Sequence, residues 1–562
     1  MSIVNGSLDR RHALLEACNL QRNPFTKTEP KDDAIDQVFV GREAELRDAA
    51  WRVYDGPRNL LVVGGYGYGK TTFVRKLLRE LRMTKQVSFL TGYAALQHDS
   101  PDGFRLAALT ALVEGALATA SPDTGLHDFA LKSWDELARL EPDARGPRVP
   151  DLRFRHGLEL ARAAGIHRVV IAIDEIDKRD AQVVQGIVMG ARSLLDTDAS
   201  FVLTGRYMDV FTDIRSSLLA AFDHRLELQP FEPEDLVDIL RRNLATFRRR
   251  SEEPPTLAPF VTEVVEAIVD RCGGMPRPLN LMAYAALEEL LQTQHPLSEQ
   301  AIRVTPEHLD RALQKEGNLI YSGLAESERE LLAKIFRRNS YVSGADLGEL
   351  DPVRGLPGAV QNMEQLSRED ALLRLESSTG PAFQLSPLIE PVFRGLRQRK
   401  EQLKALWLEA SSPEVSDEEG QLLEDFAAEF FKESFLVSER NARTGTEEID
   451  LILRPSRESD AVFRKSSYLF VECKNWRKQK VNQEVVTKLV GILQNRRLKQ
   501  GFLLTTGSFT KDAVQQARSF YQTTELELIL IDGKEMMAFL DDLRSVSDFL
   551  SSLHRGQVLQ LR

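Results

Sequence analysis

The sequence predicts a multidomain α/β protein: a parallel-sheet core, then helical, helix-plus-hairpin and second α/β segments. Three observations predict it. The chain has 562 residues, several times the roughly 150 that one domain averages. From Val38 to about Pro230, short apolar runs alternate with helical stretches, the pattern of a parallel sheet covered on both faces. After an acidic, Pro/Ser-containing break at residues 409–420 (EASSPEVSDEEG), the same alternation starts again.

Composition narrows the class. Apolar residues make up 42% and charged residues 28%, ordinary for a globular chain. No apolar run approaches the roughly 18 residues that a membrane helix needs, and the opening MSIVNGSLDRRHALLEACNL lacks the apolar core of a secretory signal. Cys18, Cys272 and Cys473 lie far apart without metal-ligand spacing, and suit buried thiols in a reducing cytoplasm. A net charge of −11 argues against a generic nucleic-acid coat but leaves room for a local basic groove.

In chain order, residues 1–36 read as an N-terminal arm around Asn23-Pro24-Phe25. The core spans 37–231, with strands expected at Asn59–Val63, Val87–Leu90, Val169–Ile173 and Phe201–Leu203. Residues 94–165 hold two or three helical patterns, broken at Ser121-Pro122 and Gly146-Pro147, that decorate the crossover into the third run. Residues 232–316 are helical, interrupted at Gly273-Gly274-Met275-Pro276. Residues 317–400 give three helical segments, then Ala371–Glu376, a Gly380-Pro381 turn and Phe383–Leu385, which read as a winged helix. Its candidate recognition helix, Gly358–Glu369, carries Glu364, Glu369 and only Arg368 as a cation, so packing suits it better than phosphate contact. A linker is expected at 401–419, a second α/β unit at 420–545 and a tail at 546–562.

The first site lies in the core. Gly64-Gly65-Tyr66-Gly67-Tyr68-Gly69-Lys70-Thr71 matches the P-loop (Walker A) pattern in full, between apolar Leu60–Val63 and the amphipathic stretch Thr72–Leu81. Glycines let backbone N–H groups turn inward around phosphates, and the helix N-terminus adds positive potential. Lys70 supplies charge to the β/γ-phosphates of ATP, and the Thr71 hydroxyl can ligate Mg²⁺. Apolar Val169–Ile173 ends in Asp174-Glu175, where Asp174 would hold Mg²⁺ directly or through water and Glu175 would polarise the attacking water.

A second site lies near the C-terminus. Asp450 sits in Glu448–Leu453, and Tyr468–Lys474 carries Glu472 and Lys474 two residues apart. Residues i and i+2 of a strand share a face, so this carboxylate and ammonium project together while Cys473 points away. Adding Asp450 gives a D…E-x-K constellation: two carboxylates for a divalent ion and a lysine to orient or deprotonate water. Leu469–Val471 is too apolar for an edge strand, and Arg477, Lys478 and Lys480 follow at once, suiting a phosphate-bearing polymer.

Phe39-Val40-Gly41-Arg42-Glu43, Asp174-Glu175 and Gly273-Gly274-Met275-Pro276-Arg277 together resemble AAA+ ATPases. The nearest branch holds origin-recognition and transposition-helper ATPases and the signal-transducing STAND group. The resemblance covers about 23–315, and extends to 398 with the winged helix. It implies that Gly64, Gly67, Gly69, Lys70, Thr71, Thr72 and Asp174 hold ATP and Mg²⁺. It also implies that Thr204 is a polar sensor, that Arg277 is a lid arginine reading the γ-phosphate, and that the core forms a homo-oligomer. A subunit-bridging arginine is expected before Pro230; Arg225 and Arg215 both qualify.

Residues 419–531 resemble the Mrr-like branch of the restriction-endonuclease, or PD-(D/E)xK, fold. The matching pieces are Gly420–Glu424, Thr446–Asp450, Phe470–Lys474 and Gly501–Thr510. The resemblance implies that Glu424 joins Asp450 and Glu472 at the metal, with Glu429 as the fallback, and that Mn²⁺ can replace Mg²⁺. Glu-Glu-Ile-Asp stands where many relatives have a Gly-rich lead to the aspartate, which leaves the number of metals open. Together the two resemblances imply an ATP-regulated endonuclease of DNA, double-stranded by preference, serving anti-phage defence in the cytoplasm with a possible second protein of the system. The alternative is a STAND-like sensor or transposition-type helper whose C-terminal domain grips DNA without cutting.

Overall fold

The computed structural model describes residues 3–26, 35–137, 149–176, 181–205, 222–252, 254–292, 302–343, 346–350, 355–377, 380–412, 414, 420–444, 447–456 and 461–558. The chain divides into two compact units. The first comprises Met1–Glu316, Ser343–Asp346 and Val360–Leu388; the second comprises Gly317–Val342, Leu347–Ala359 and Ile389–Arg562.

The first unit is built on five strands: β1 (Leu60–Val63), β2 (Phe89–Ala95), β3 (Arg168–Asp174), β4 (Ala199–Gly205) and β5 (His224–Glu227). They pair in parallel in the order β2-β3-β4-β1-β5. The four expected apolar runs are β1 to β4, each extended or trimmed by a few residues. The fifth strand was not expected, because an edge strand can stay polar: of its four residues only Leu226 is buried. One sheet face packs on helix Lys70–Met83 through Phe73, Val74 and Leu77. The other packs on three helices inserted between β2 and β3: Pro101–Thr119, Gly125–Leu137 and Val149–Ala163. The expected break at Gly146-Pro147 lies outside the described residues.

The N-terminal stretch is more than an arm. Helix Ile3–Ala17 buries Leu14 and Leu15, and Arg11 pairs with Glu288 at 2.8 Å on helix Pro276–Gln292. Helices Pro233–Thr246, Thr262–Arg271 and Pro276–Gln292 form the expected helical region. Gly274 has φ +75°, and a Cβ there would meet Pro230 Cβ at 2.6 Å, so the Gly-Gly break is a close-packed corner.

The segment 317–400 has the element order expected of a winged helix: helices Glu326–Arg337, Leu347–Leu350 and Gly355–Arg368, then antiparallel strands Leu372–Ser377 and Gly380–Leu385. It is not, however, one compact piece. Leu373 and Leu375 of the hairpin pack on Tyr68 and Met275 in the first unit. Arg329 pairs with Asp548 at 2.6 Å in the second. Gly380-Pro381 opens a strand and is not the turn.

The second unit carries five strands. Phe435–Thr444, Glu447–Pro455 and Leu469–Lys474 run antiparallel in turn, and Gln500–Thr505 and Glu527–Ile531 extend the sheet in parallel. Leu469–Lys474 is the central strand, as its apolarity predicted. Two boundaries are corrected. Helix Glu390–Ser411 extends into the expected linker 401–419 as far as Ser411, with Leu403, Trp407 and Ala410 buried against Leu423 and Phe426; residues 413 and 415–419 lie outside the described residues. Helix Val546–Gln557 replaces the expected tail and buries Phe549 and Leu550 in the same core. Among the described residues no helix is long and apolar enough to cross a membrane.

Candidate functional site

At the end of β1 the chain turns through Gly67 (φ +84°) and Gly69 (φ +80°) into helix Lys70–Met83. Left-handed backbone at both positions lets the loop curl with its N–H groups inward, which a side chain would oppose. Lys70 is buried at the helix start, and its ammonium donates to the carbonyls of Gly64 and Gly65 at 3.0 and 3.1 Å. Thr71 and Thr72 form the first turn with it.

Two strands away, Asp174 closes β3. Its Oδ1 accepts from the Thr204 hydroxyl of β4 and from the Glu175 amide at 2.7 Å. Its Oδ2 accepts from the Tyr93 hydroxyl of β2 at 2.9 Å. Glu175 itself sits at φ +64°, a region where a non-glycine residue is held only by its surroundings. Sequence reasoning placed Asp174, Glu175 and Thr204 together, but Tyr93 escaped it.

Arg277 begins helix Pro276–Gln292, and its Cβ would lie 3.5 Å from a Cβ built on Gly67. Its guanidinium lies over the Tyr66 ring at 5.1 Å and pairs with Asp370. Arg225, expected to bridge subunits, belongs to strand β5. It lies half-buried there with Glu227 Oε2 3.3 Å away, and burial lowers its pKa. Arg215 lies outside the described residues.

Beside Gly69 and Thr72 opens a cavity of about 100 Å³ lined by Val40, Arg42, Phe231 and Pro276. Buried Arg42 donates to the carbonyls of Tyr68 at 3.2 Å and Gln229 at 2.6 Å and stacks on Phe231 at 4.1 Å. Burial holds its pKa down at about 10. This largely apolar slot next to the phosphate loop was missed, because its walls come from five separate stretches of chain.

In the second unit, Asp450 and Glu472 occupy neighbouring strands, each one residue beyond the paired rung Leu451↔Val471. Glu472 Oε1 lies 2.6 Å from Lys474 Nζ, and Asp450 Oδ2 accepts from the Cys473 amide at 2.5 Å. Cys473 itself faces the opposite core, as strand alternation requires. Burial first, then the charge of Glu472, pushes the Asp450 carboxyl up to about 7. Burial would lower the Lys474 ammonium, but Glu472 and Asp450 raise it above its ordinary value. Among the described residues, Glu472 Oε2 is buried without a hydrogen-bond partner.

Glu424 stands on helix Gln421–Phe431, near enough for its charge to raise both Asp450 and Cys473. Yet among the described residues no three His, Cys, Asp or Glu side chains form a group able to hold a metal ion. Asp450 and Glu472 form the nearest pair, and Glu424 stands as the third candidate carboxylate beside them. The fallback, Glu429, is committed elsewhere, to Arg399 at 3.3 Å and to Lys432.

Behind Lys474 the loops interlock. Thr505 donates to the Lys474 carbonyl and Thr506 to Asn475 Oδ1, both at 2.7 Å. Asn475 and Arg477 donate to the Ala410 carbonyl at 3.1 and 2.8 Å.

Comparison with known proteins assigns both regions. Residues 38–189 match the AAA ATPase domain family, and residues 415–540 match the Mrr-type restriction endonuclease family. The chain carries an ATPase domain and a restriction-endonuclease domain. No curated protein matches it. Among solved structures it is similar to the Aeropyrum pernix ORC1 protein in complex with DNA, at 19% identity over 63% of this chain and 91% of that one, TM-score 0.38. It is also similar to a point variant of Thermotoga maritima RuvB, at 17% identity over 64% of this chain and 95% of that one, TM-score 0.32. The P-loop and Asp174 thus belong to the ATPase domain, and Asp450, Glu472 and Lys474 to the nuclease domain. Two catalytic domains on one chain make it an ATPase and an endonuclease.

Proposed function

We propose that this protein cleaves DNA, double-stranded by preference, in a divalent-metal-dependent reaction that ATP binding on its first domain licenses. The observation that carries this reading is the meeting of Asp450, Glu472 and Lys474 at one end of a central strand. Buried charge is costly unless it is used or paired. Here two carboxylates share a desolvated site with one ammonium, and one oxygen, Glu472 Oε2, has no partner among the described residues.

That donor set fits a hard cation such as Mg²⁺ or Mn²⁺, which takes carboxylate oxygens. Asp450 and Glu472 would hold it. When bound, such an ion polarises a phosphoryl oxygen and lowers the pKa of bound water. Lys474, 2.6 Å from Glu472, is placed to orient water and to offset charge growing on the phosphate. Arg477, Lys478 and Lys480 supply cations for the backbone of the polymer.

On the ATPase domain, Gly64, Gly67, Gly69 and Lys70 cradle the phosphates, while Thr71 and Asp174 offer oxygens to Mg²⁺. Thr72, Arg42 and Phe231 border the slot for the base, Thr204 and Glu175 attend the attacking water, and Arg277 reads the γ-phosphate. Assembly through this domain into a homo-oligomer, and a role in anti-phage defence with or without a second protein, agree with an ATP-gated cutter. A cytoplasmic setting agrees with the three buried free thiols.

The gating is tested by incubating plasmid DNA and Mg²⁺ with the intact and Lys70→Ala proteins, with and without ATP. Cleavage is expected only from the intact chain with ATP. Undiminished cutting by Lys70→Ala would show that the two domains act independently.

A further inference from the structure

We infer that Tyr93 is a positioning residue of the ATPase: its hydroxyl aims the one acceptor site that Asp174 keeps open. The inference rests on the reading of Asp174 as the magnesium carboxylate.

The argument is a count of lone pairs. A carboxylate offers about two acceptor positions on each oxygen. Oδ1 of Asp174 uses both, one for the Thr204 hydroxyl and one for the Glu175 amide. Oδ2 uses one, for the Tyr93 hydroxyl at 2.9 Å. Among the described residues a single position on Oδ2 is left for a cation or its water, and the Tyr93 bond fixes where that position points. Without Tyr93 the carboxylate keeps donors on one oxygen only and can swing about them.

The phenol is itself held by its strand and by the P-loop helix. Its strand pairs with β3 in the register Tyr93↔Ala172 and Ala95↔Asp174, so the ring lies diagonally beside the aspartate on the same sheet face. Arg75, one helical turn after Thr71, lies over the ring at 4.6 Å. Tyr93 thereby links the P-loop helix to the strand that ends in Asp174. Such partners of a metal carboxylate set its orientation, and losing one costs roughly 10- to 100-fold in metal affinity.

A purely structural tyrosine would not act on magnesium alone. The test titrates Mg²⁺ into the full chain with a fluorescent ATP analogue, comparing wild type, Tyr93→Phe and Asp174→Asn, with a parallel nucleotide titration in EDTA. Tyr93→Phe should raise the Mg²⁺ concentration for half-effect about tenfold and leave nucleotide binding in EDTA unchanged. A Tyr93→Phe protein that titrates like wild type beside a defective Asp174→Asn overturns the role of Tyr93 alone. Equal losses with and without Mg²⁺ overturn it as well, since they mean general damage to the fold. Wild-type magnesium dependence in Asp174→Asn removes the parent reading.

Discussion

Asp370 meets Arg277 with both carboxylate oxygens, Oδ1 2.9 Å from Nε and Oδ2 2.8 Å from Nη2. A guanidinium fork takes a carboxylate or a phosphate in the same bidentate manner, so the two compete for it. Asp370 follows helix Gly355–Arg368 with φ +59°, and the hairpin after it packs on Tyr68 of the phosphate loop. ATP that draws on Arg277 must displace Asp370. Replacing Asp370 with Ala should therefore tighten ATP binding about fivefold or more, the lower range of ordinary coupling between sites, with ADP gaining less. Competition titrations of ATP and ADP read this directly, and an unchanged ratio of their affinities contradicts it.

Helix Glu390–Ser411 should be part of the nuclease domain and not a tether to it. Trp407 is 1% exposed, and its ring lies 4.9 Å from that of Phe426. Trp407→Ala should destabilise the nuclease domain by about 3–5 kcal/mol, seen as the loss of one denaturant transition, with nucleotide binding retained. A change below about 1 kcal/mol would be that of a surface residue and would return the helix to linker status.

Lys400, on that same helix, donates to the Phe539 carbonyl at 2.9 Å, and burial lowers its pKa to about 6. Unfolded, it titrates near 10.5. Between these values the folded chain binds fewer protons, so stability rises with pH, by up to about 1.4 kcal/mol per unit. The cost is fully present below the folded pKa and gone above the unfolded one. Lys400→Met should remove this slope between pH 6.5 and 8.5 in urea titrations and stabilise the domain at pH 7. An unaltered slope would show that Lys400 does not set it.

Gly507 faces the backbone behind Lys474. A Cβ there would lie 2.2 Å from the Trp476 carbonyl oxygen, forcing the two interlocked loops apart. Misplacement by about 1 Å can cost 100-fold in rate. Gly507→Ala should thus lower cleavage by one to two orders of magnitude while DNA binding, followed by anisotropy, stays near wild type. A parallel loss of binding would point to broader collapse.

Much of this was legible in the sequence because chemistry and burial both leave patterns. Strands β1 to β4 are covered on both faces and must be almost wholly apolar. The P-loop, Asp174 and the Asp450–Glu472–Lys474 group show because charge or glycine interrupts an apolar run at its end. Edge strands leave no such trace: Phe435–Thr444 carries Glu439, Arg440 and Arg443, and β5 buries one side chain. The linker reading followed acidic composition, although Leu403, Trp407 and Ala410 already stood at helical spacing. Tyr93 and Asp370 could not be read at all, since each acts on a residue about 80 to 90 positions away, through a packing that only the fold creates.

The central claim is that Asp450, Glu472 and Lys474 form one hydrolytic site. It is met most directly by following scission of supercoiled plasmid in Mg²⁺ or Mn²⁺ with ATP, for wild type and Glu472→Ala side by side. The account predicts nicked or linear DNA from the wild type and intact supercoils from the variant, with both chains binding DNA alike. Equal cutting by the two, or intact plasmid with both metals, would contradict it.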